Sequence, residues 1–157
     1  MTDQKSSSSF TNSVGASSPG PPLIGALLRM PWETVRRRML ERLHERGFDD
    51  LDAPHLNLLQ YPGPHDMRPS DLAARLRMSK QALNYLLGEL ERRGYIVRHP
   101  DPEDMRSRRI VLTRRGHSAV RVIREAVADT EREWAQELGP KRFAQLRALL
   151  LELNELS

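Results

Sequence analysis

A cluster of polar side chains near the middle of the chain has the chemistry needed to contact nucleic-acid bases and phosphates. The cluster consists of Ser79, Lys80, Gln81, Asn84 and Tyr85. Gln and Asn amides form paired hydrogen bonds with adenine edges, and a Tyr ring reaches a phosphate or a thymine methyl. Ser79 is a favourable N-cap, so we expect the cluster to occupy the first two turns of a helix. The pattern predicts a helix that reads the major groove of DNA.

The residues around this cluster predict the elements that position it. Leucines alternate with the polar residues at helical spacing and predict a buried face, namely Leu83, Leu86, Leu87 and Leu90. Gly94 is expected to end the helix. A short helix over Pro69–Leu76 precedes it, and the turn Arg77–Met78 joins the two. Helix, tight turn and helix together predict a helix-turn-helix.

A two-stranded ribbon is expected to follow the helix-turn-helix. The segments Tyr95–Arg98 and Arg109–Leu112 are rich in β-branched residues, and His99–Arg108 joins them. Three arginines, Arg106, Arg108 and Arg109, fall in or beside this connection. An arginine at the tip of such a ribbon can enter a narrow minor groove, so all three are candidate DNA contacts. The fold class predicted is therefore mainly α with a small β-wing, a winged helix-turn-helix.

Apolar stripes on helices flank the winged region on both sides. Leu28, Trp32, Val35, Met39 and Leu43 recur at helical spacing in the first helix, which Pro31 is expected to kink or restart. A further stripe follows Pro140 in the last helix. We expect four regions in the chain. They are a disordered tail (1–20), N-terminal dimerisation helices (21–60), the winged DNA-binding region (61–114) and C-terminal dimerisation helices (115–157).

Composition and charge exclude several classes of function. The chain has 157 residues and no cysteine, which excludes thiol redox switches, disulfides and Cys-ligated metal sites. Its net charge is +4, and the excess is confined to residues 66–116, with 12 basic and 7 acidic residues. A localised basic region favours a polyanionic partner. No apolar run has the length of a membrane span, and we expect a cytoplasmic protein that binds no membrane.

No set of residues predicts catalysis, and none predicts a bound cofactor or metal ion. The five histidines lack the spacing of metal ligands, and no nucleophile is paired with a base in a supporting motif. We therefore expect a protein that is not an enzyme. Trp32 and Met39 have two interpretations, because a stripe on the first helix can line a pocket for a small molecule or pack in a plain dimer core. The second is the commoner role of such a stripe.

Three stretches of this sequence resemble the MarR family of bacterial transcription regulators. They are 68–73 (RPSDLA), 79–84 (SKQALN) and 90–95 (LERRGY). The wing matches most specifically: 101–106 (DPEDMR), followed by Leu112 and Thr113, is similar to the family pattern D-x-R-x-x-x-x-x-L-T. By this match Arg106 is the arginine at the wing tip, and Asp104 is the residue that orients the wing.

The resemblance implies a function as well as a fold. Members are homodimers built from their first and last helices, and most bind roughly palindromic operators on double-stranded DNA, often as repressors. Many members are released from their DNA by small, often aromatic, anionic ligands. Two alternatives remain open at this point. One is a ligand-blind or architectural DNA-binding protein, and the other is a winged-helix module whose basic wing binds an acidic protein.

Overall fold

The computed structural model describes residues 20–156, which form six helices and one two-stranded antiparallel sheet. The elements are α1 (Ile24–Glu45), α2 (Ala53–Leu59), α3 (Pro69–Leu76), α4 (Lys80–Arg92), β1 (Ile96–Pro100), β2 (Arg108–Leu112), α5 (Arg114–Leu138) and α6 (Pro140–Glu155). The predicted fold class, mainly α with a small β-wing, is confirmed. The expected disordered tail lies outside the described residues except for Gly20. None of the described helices is long and apolar enough to cross a membrane.

Helices α1 and α5 pack against each other and connect the winged region to the ends of the chain. Met39 and Leu43 of α1 are buried in this contact region, and charged side chains join the two helices at its edge. Arg42 lies 3.1 Å from the Asp129 carboxylate, and Arg38 donates to Thr130. The expectation that Pro31 restarts α1 is wrong, because one helix runs through it from Ile24 to Glu45. A proline removes a single backbone donor, and a helix tolerates this loss at an exposed turn.

Helices α3 and α4 form the predicted helix-turn-helix. Arg77 adopts a left-handed conformation (φ 52°, ψ 40°) between them, and this allows the sharp change of direction. Leu83, Leu86, Leu87 and Leu90 are all buried, as the spacing predicts. Burying four leucines stabilises the unit by roughly 1.5–3 kcal/mol for each side chain. The apolar face of α4 is thereby fixed inward, and its polar face must point to solvent.

The wing is an antiparallel hairpin whose strands are displaced from the predicted ones. Ile96 pairs with Leu112 and Pro100 pairs with Arg108, so β1 extends two residues beyond the predicted Arg98. The connection is accordingly shorter than expected and covers 101–107. Met67, just before α3, forms an additional bridge with Ile110. The wing is therefore attached through hydrogen bonds to the segment that begins the helix-turn-helix.

Gly116 sits at the closest backbone approach between the wing and α5. A Cβ atom at this position would lie 2.1 Å from the carbonyl oxygen of Tyr95. Thr113 caps α5 by accepting a hydrogen bond from the Gly116 N–H, and its hydroxyl also donates to the Gly94 carbonyl. Glycine is required here because any larger residue would push α5 away from β1.

Helix α6 contacts α5 but buries none of its own residues in the single chain. Its exposed leucines are Leu146, Leu149, Leu151 and Leu153, and the exposed Leu156 follows as its C-cap. The first turns of α1 are similarly exposed at Ile24, Leu27, Leu28 and Met30, as is the N-cap Leu23. The two ends of the described chain thus carry a large apolar surface, which is unusual for a soluble monomer.

Candidate nucleic-acid interface

The first two turns of α4 present the polar side chains that the sequence placed there. Ser79 is the N-cap, and its hydroxyl accepts a hydrogen bond from the Ala82 N–H at 3.1 Å. Four side chains behind it are exposed, namely Lys80, Gln81, Asn84 and Tyr85. The first turn contains no acidic residue. The start of α4 therefore combines exposed amides, which have the chemistry to bond base edges, with the positive end of the helix dipole.

A groove of about 600 Å³ separates α4 from the wing and from the start of α3. Its lining residues are Arg68, Pro69, Ser70, Asn84, Glu91, Arg98, Ser107 and Arg108. Three of the eight are arginines and one is acidic. The carboxylate of Glu91 accepts hydrogen bonds from the Arg98 side chain at 2.6 and 3.0 Å, and this lowers the pKa of Glu91. The groove has the charge and the hydroxyl groups that phosphate oxygens require.

A buried carboxylate, Asp101, joins the wing to the start of α3. It is fully buried and accepts hydrogen bonds from the Glu103 N–H at 3.0 Å and from Arg68 Nε at 2.6 Å. Arg109 Nε lies 3.2 Å from its other side. The Glu103 backbone N–H, together with the two guanidinium groups, lowers the pKa of Asp101 to about 2. Asp101 therefore stays ionised and sets the angle between the wing and α3.

The wing tip is a tight turn that carries Arg106. Ser107 N–H donates to the Asp104 carbonyl at 2.9 Å, while the Asp104 carboxylate accepts from Arg106 N–H and from the Ser107 hydroxyl. The Asp104 carboxylate thus closes the turn, and its role in orienting the wing on DNA stays a prediction. The Arg106 guanidinium is exposed and has no hydrogen-bond or ion-pair partner within residues 20–156.

The other two candidate arginines of the wing have different surroundings. Arg108 is exposed in the groove and approaches the Arg98 carbonyl at 3.5 Å. Arg109 is half-buried, and its guanidinium lies among the carboxylates of Asp66, Asp101 and Glu103. Alternate residues of a strand face opposite sides, so Arg108 is directed into the groove and Arg109 toward the protein. The geometry makes Arg109 a support of the wing.

Replacing Asp101 with asparagine is expected to lower the melting temperature and to weaken DNA binding several-fold, because Arg68 and Arg109 lose their charged partner. Folding lowers the pKa of this carboxylate to about 2. Its contribution to stability is therefore present above about pH 4 and is lost as the pH falls further. The difference in melting temperature between Asp101→Asn and the parent should shrink on acidification. Thermal unfolding followed by circular dichroism across this range measures it.

The matched control is Asp49→Asn, which changes an exposed carboxylate without an ion pair among the described residues. It should leave the melting temperature and DNA binding unchanged. A difference between Asp101→Asn and the parent that is zero at neutral pH, or that grows in acid, would contradict the role given to Asp101.

Several side chains of the interface were not singled out from the sequence. Arg68, Ser70 and Arg98 line the groove, and Asp101 holds the wing. Arg68 and Ser70 flank the proline that begins α3, so their place at a helix N-terminus was a usable signal. Nothing in the sequence distinguished Asp101 from the neighbouring Glu103 and Asp104, because burial depends on how the wing folds back.

A second cavity, of about 430 Å³, lies between α1, α5 and the end of α2. Trp32 and Met39, the two candidate pocket residues, both line it. The other lining residues are Val35, Gln60, Tyr61, Ile123, Arg124, Val127, Ala128 and Glu131. The floor is apolar and the rim is aromatic and charged, since Trp32 and Tyr61 are exposed. This composition is typical of a small-molecule site.

Comparisons with known proteins find similar sequences for the winged region. A family model described as MarR family matches residues 49–107, from the loop before α2 to the wing tip. The chain is 30% identical over 86 residues to the uncharacterized HTH-type transcriptional regulator YkoM of Bacillus subtilis, covering 55% of this chain and 54% of YkoM. It is 27% identical over 122 residues to the transcriptional repressor MprA of Escherichia coli K12, covering 71% and 68%. The matched region thus spans about half the length of YkoM.

A solved structure shows the same fold over a longer part of the chain. The transcriptional repressor CouR, crystallised with a 23-mer DNA duplex, has a TM-score of 0.64 at 24% identity and covers 84% of this chain and 92% of its own. The matched proteins are named as transcriptional regulators, which agrees with the expectation that the chain is not an enzyme. Residues 49–107 of the chain, from the loop before α2 to the wing tip, are thus similar to the MarR family.

Proposed function

We propose that this protein is a sequence-specific DNA-binding regulator of transcription that acts as a homodimer. The observation that carries the proposal is the groove between α4 and the wing. It places Asn84 of α4 opposite Arg108 of β2, with the unpaired Arg106 at the wing tip. A helix in the major groove and an arginine in the adjacent minor groove would span one DNA backbone, whose phosphates would lie in the groove.

The exposed apolar surfaces of α1 and α6 support the dimer. Neither the first turns of α1 nor any residue of α6 is buried in the single chain, although both carry many leucines. A second copy related by a two-fold axis would cover both surfaces with the same residues and would leave α4 on the outside. Two α4 helices arranged in this way favour an operator that is roughly palindromic, with half-sites about 34 Å apart.

Repression is the mode of regulation that the relatives favour. MprA and CouR are both named as transcriptional repressors. A dimer that occupies one face of a promoter blocks the access of other proteins to that DNA, and it needs no further partner to do so. Such a protein would act at the chromosome, in the cytoplasm of a bacterium.

Selection of bound fragments from genomic DNA tests the DNA-binding function directly. The protein is mixed with fragmented genomic DNA, the bound fraction is sequenced, and the recovered sites are compared with random duplex of the same length. We expect a shared sequence element that is bound at least about 10³-fold more tightly than random DNA. Equal binding to all fragments would favour an architectural protein. No binding to duplex DNA would favour the protein-interaction module, and would overturn the proposal.

The cavity beside Trp32 is the proposed site of a small effector. Arg124 lies at its rim and forms no ion pair among the described residues, whereas Glu131 is held by Arg147 at 3.2 Å. An apolar floor, two exposed aromatic rings and one unpaired cation fit an aromatic carboxylate. Binding there would contact α1, α5 and the end of α2 together, and could change the separation of the two DNA-binding units.

Aromatic carboxylates are expected to release the protein from DNA, and Arg124→Gln should raise the concentration needed by about tenfold. The loss reflects the charge-assisted hydrogen bond between the guanidinium and the ligand carboxylate. Titration of benzoate and naphthoates against a fluorescent operator complex measures the effect. Arg121→Gln changes a neighbouring exposed arginine of α5 outside this cavity and should change nothing. If no compound of the panel releases the DNA, the ligand-blind alternative is favoured.

A further inference from the structure

An exposed methionine, Met105, stands beside Arg106 at the tip of the wing. Its side chain is 76% exposed, whereas Val97, the other exposed apolar side chain of the wing, is 37% exposed. Met105 and Arg106 are the two central residues of the turn closed by the Ser107 N–H and the Asp104 carbonyl. The turn therefore presents one apolar and one cationic side chain together.

The acidic residues of the tip have partners within the wing. The Asp104 carboxylate accepts two hydrogen bonds within the turn, at 3.1 Å from the Arg106 N–H and at 2.8 Å from the Ser107 hydroxyl. Glu103 lies 3.5 Å from Arg109 Nη2. Of the side chains in the turn, the Met105 thioether and the Arg106 guanidinium are left without a protein partner among the described residues.

We infer that Met105 is an apolar wedge that inserts between base pairs of the minor groove where Arg106 enters it, so that the wing selects deformable DNA. This inference rests on the proposed DNA binding. A thioether gains nothing from phosphate, but it can pack against the faces of two bases once they are parted. Apolar side chains inserted in this way kink the duplex by about 20–90°. The hydrogen-bonded turn is already ordered, so insertion costs little conformational entropy in the protein.

The wedge gives the wing a preference that Arg106 alone would not have. Pyrimidine–purine steps such as TpA unstack easily, whereas runs of adenine are stiff and have a narrow minor groove. An arginine favours the narrow groove, and a wedge favours the flexible step. An alternating TpA sequence and a run of adenine both contain only A·T pairs, which the minor groove barely distinguishes by hydrogen bonding. If the DNA beneath the wing is changed from one of these sequences to the other, the change in affinity therefore reports on the wedge.

The test uses two duplexes that carry the operator selected from genomic DNA and differ only in the flank beneath the wing. One flank alternates T and A, and the other is a run of A with the same composition. The parent protein should bind the alternating flank about fivefold to tenfold more tightly. Met105→Ala should lose or invert this preference, and Met105→Leu, which keeps the apolar bulk, should retain it. Dyes at the duplex ends should report a smaller bend for Met105→Ala than for the other two proteins.

Each outcome decides the inference. A parent protein that binds the operator with no flank preference and no bend overturns the wedge and leaves the proposed DNA binding intact. Equal preference and bending in Met105→Ala and the parent also overturn it. A parent protein that binds no duplex DNA overturns the proposed function, and this inference with it.

Discussion

Replacing Gln81 or Asn84 with alanine is expected to weaken operator binding by about 30-fold to about 10⁴-fold and to leave binding to random DNA nearly unchanged. Each amide read against a base is worth about 1–3 kcal/mol, and a homodimer loses the interaction at both half-sites. Both side chains are exposed on the first two turns of α4, and truncation leaves the buried leucine face intact. Fluorescence titration against the selected operator and a random duplex measures both affinities.

Two further variants make this result specific. Gln136→Ala removes the same chemical group from an exposed position on α5 and should bind the operator like the parent. Arg106→Ala should weaken operator and random DNA together, and should flatten the log–log salt dependence by about one unit for each phosphate that the arginine no longer neutralises. If Gln81→Ala and Asn84→Ala weaken both kinds of DNA equally, α4 does not read sequence.

Leu149→Glu on α6 is expected to convert the dimer into monomers and to lower operator affinity by at least about 10²-fold. The Leu149 side chain is 62% exposed in the single chain, so the substitution breaks no contact within it. In the proposed dimer it would bury two unpaired carboxylates, and each half-site would then be bound without the help of the other. Light scattering measures the mass, and titration against the operator measures the affinity.

The matched control lies on the other face of the same helix. Ala148→Glu introduces the same charge at an exposed position away from the leucine stripe, and should leave both mass and affinity unchanged. A stable monomer of the parent chain at micromolar concentration, or a Leu149→Glu protein that remains dimeric, would show that α6 does not form the interface.

Helix α4 was predictable because its signals are local. Ser79 is one residue from the helix it caps, and the leucines at helical spacing determine which face of α4 is buried. The wing was predictable in kind from its β-branched segments. The register of the two wing strands was not predictable. Pro100 is a residue that usually ends a strand, and yet it occupies an edge position that needs no backbone donor.

The supports of the wing depend on contacts distant in sequence. Asp101 is buried because Arg68, 33 residues away, folds over it. The strand register then places Arg109 beside Asp66 and leaves Arg108 in the groove, a distinction that a run of arginines does not reveal. A carboxylate surrounded by arginines can be recognised only when the chain brings them together.

A hydroxyl-radical footprint of the protein on its selected operator shows whether a dimer contacts DNA with two α4 helices and two wings. We expect a two-fold symmetric pattern on one face of the duplex, in which two protected segments lie about 34 Å apart and an outer minor-groove contact flanks each. Arg106→Ala should remove the outer contacts alone, since α4 is unchanged. A single asymmetric protected segment, or uniform protection without a repeat, would contradict a dimer that reads DNA with two α4 helices and two wings.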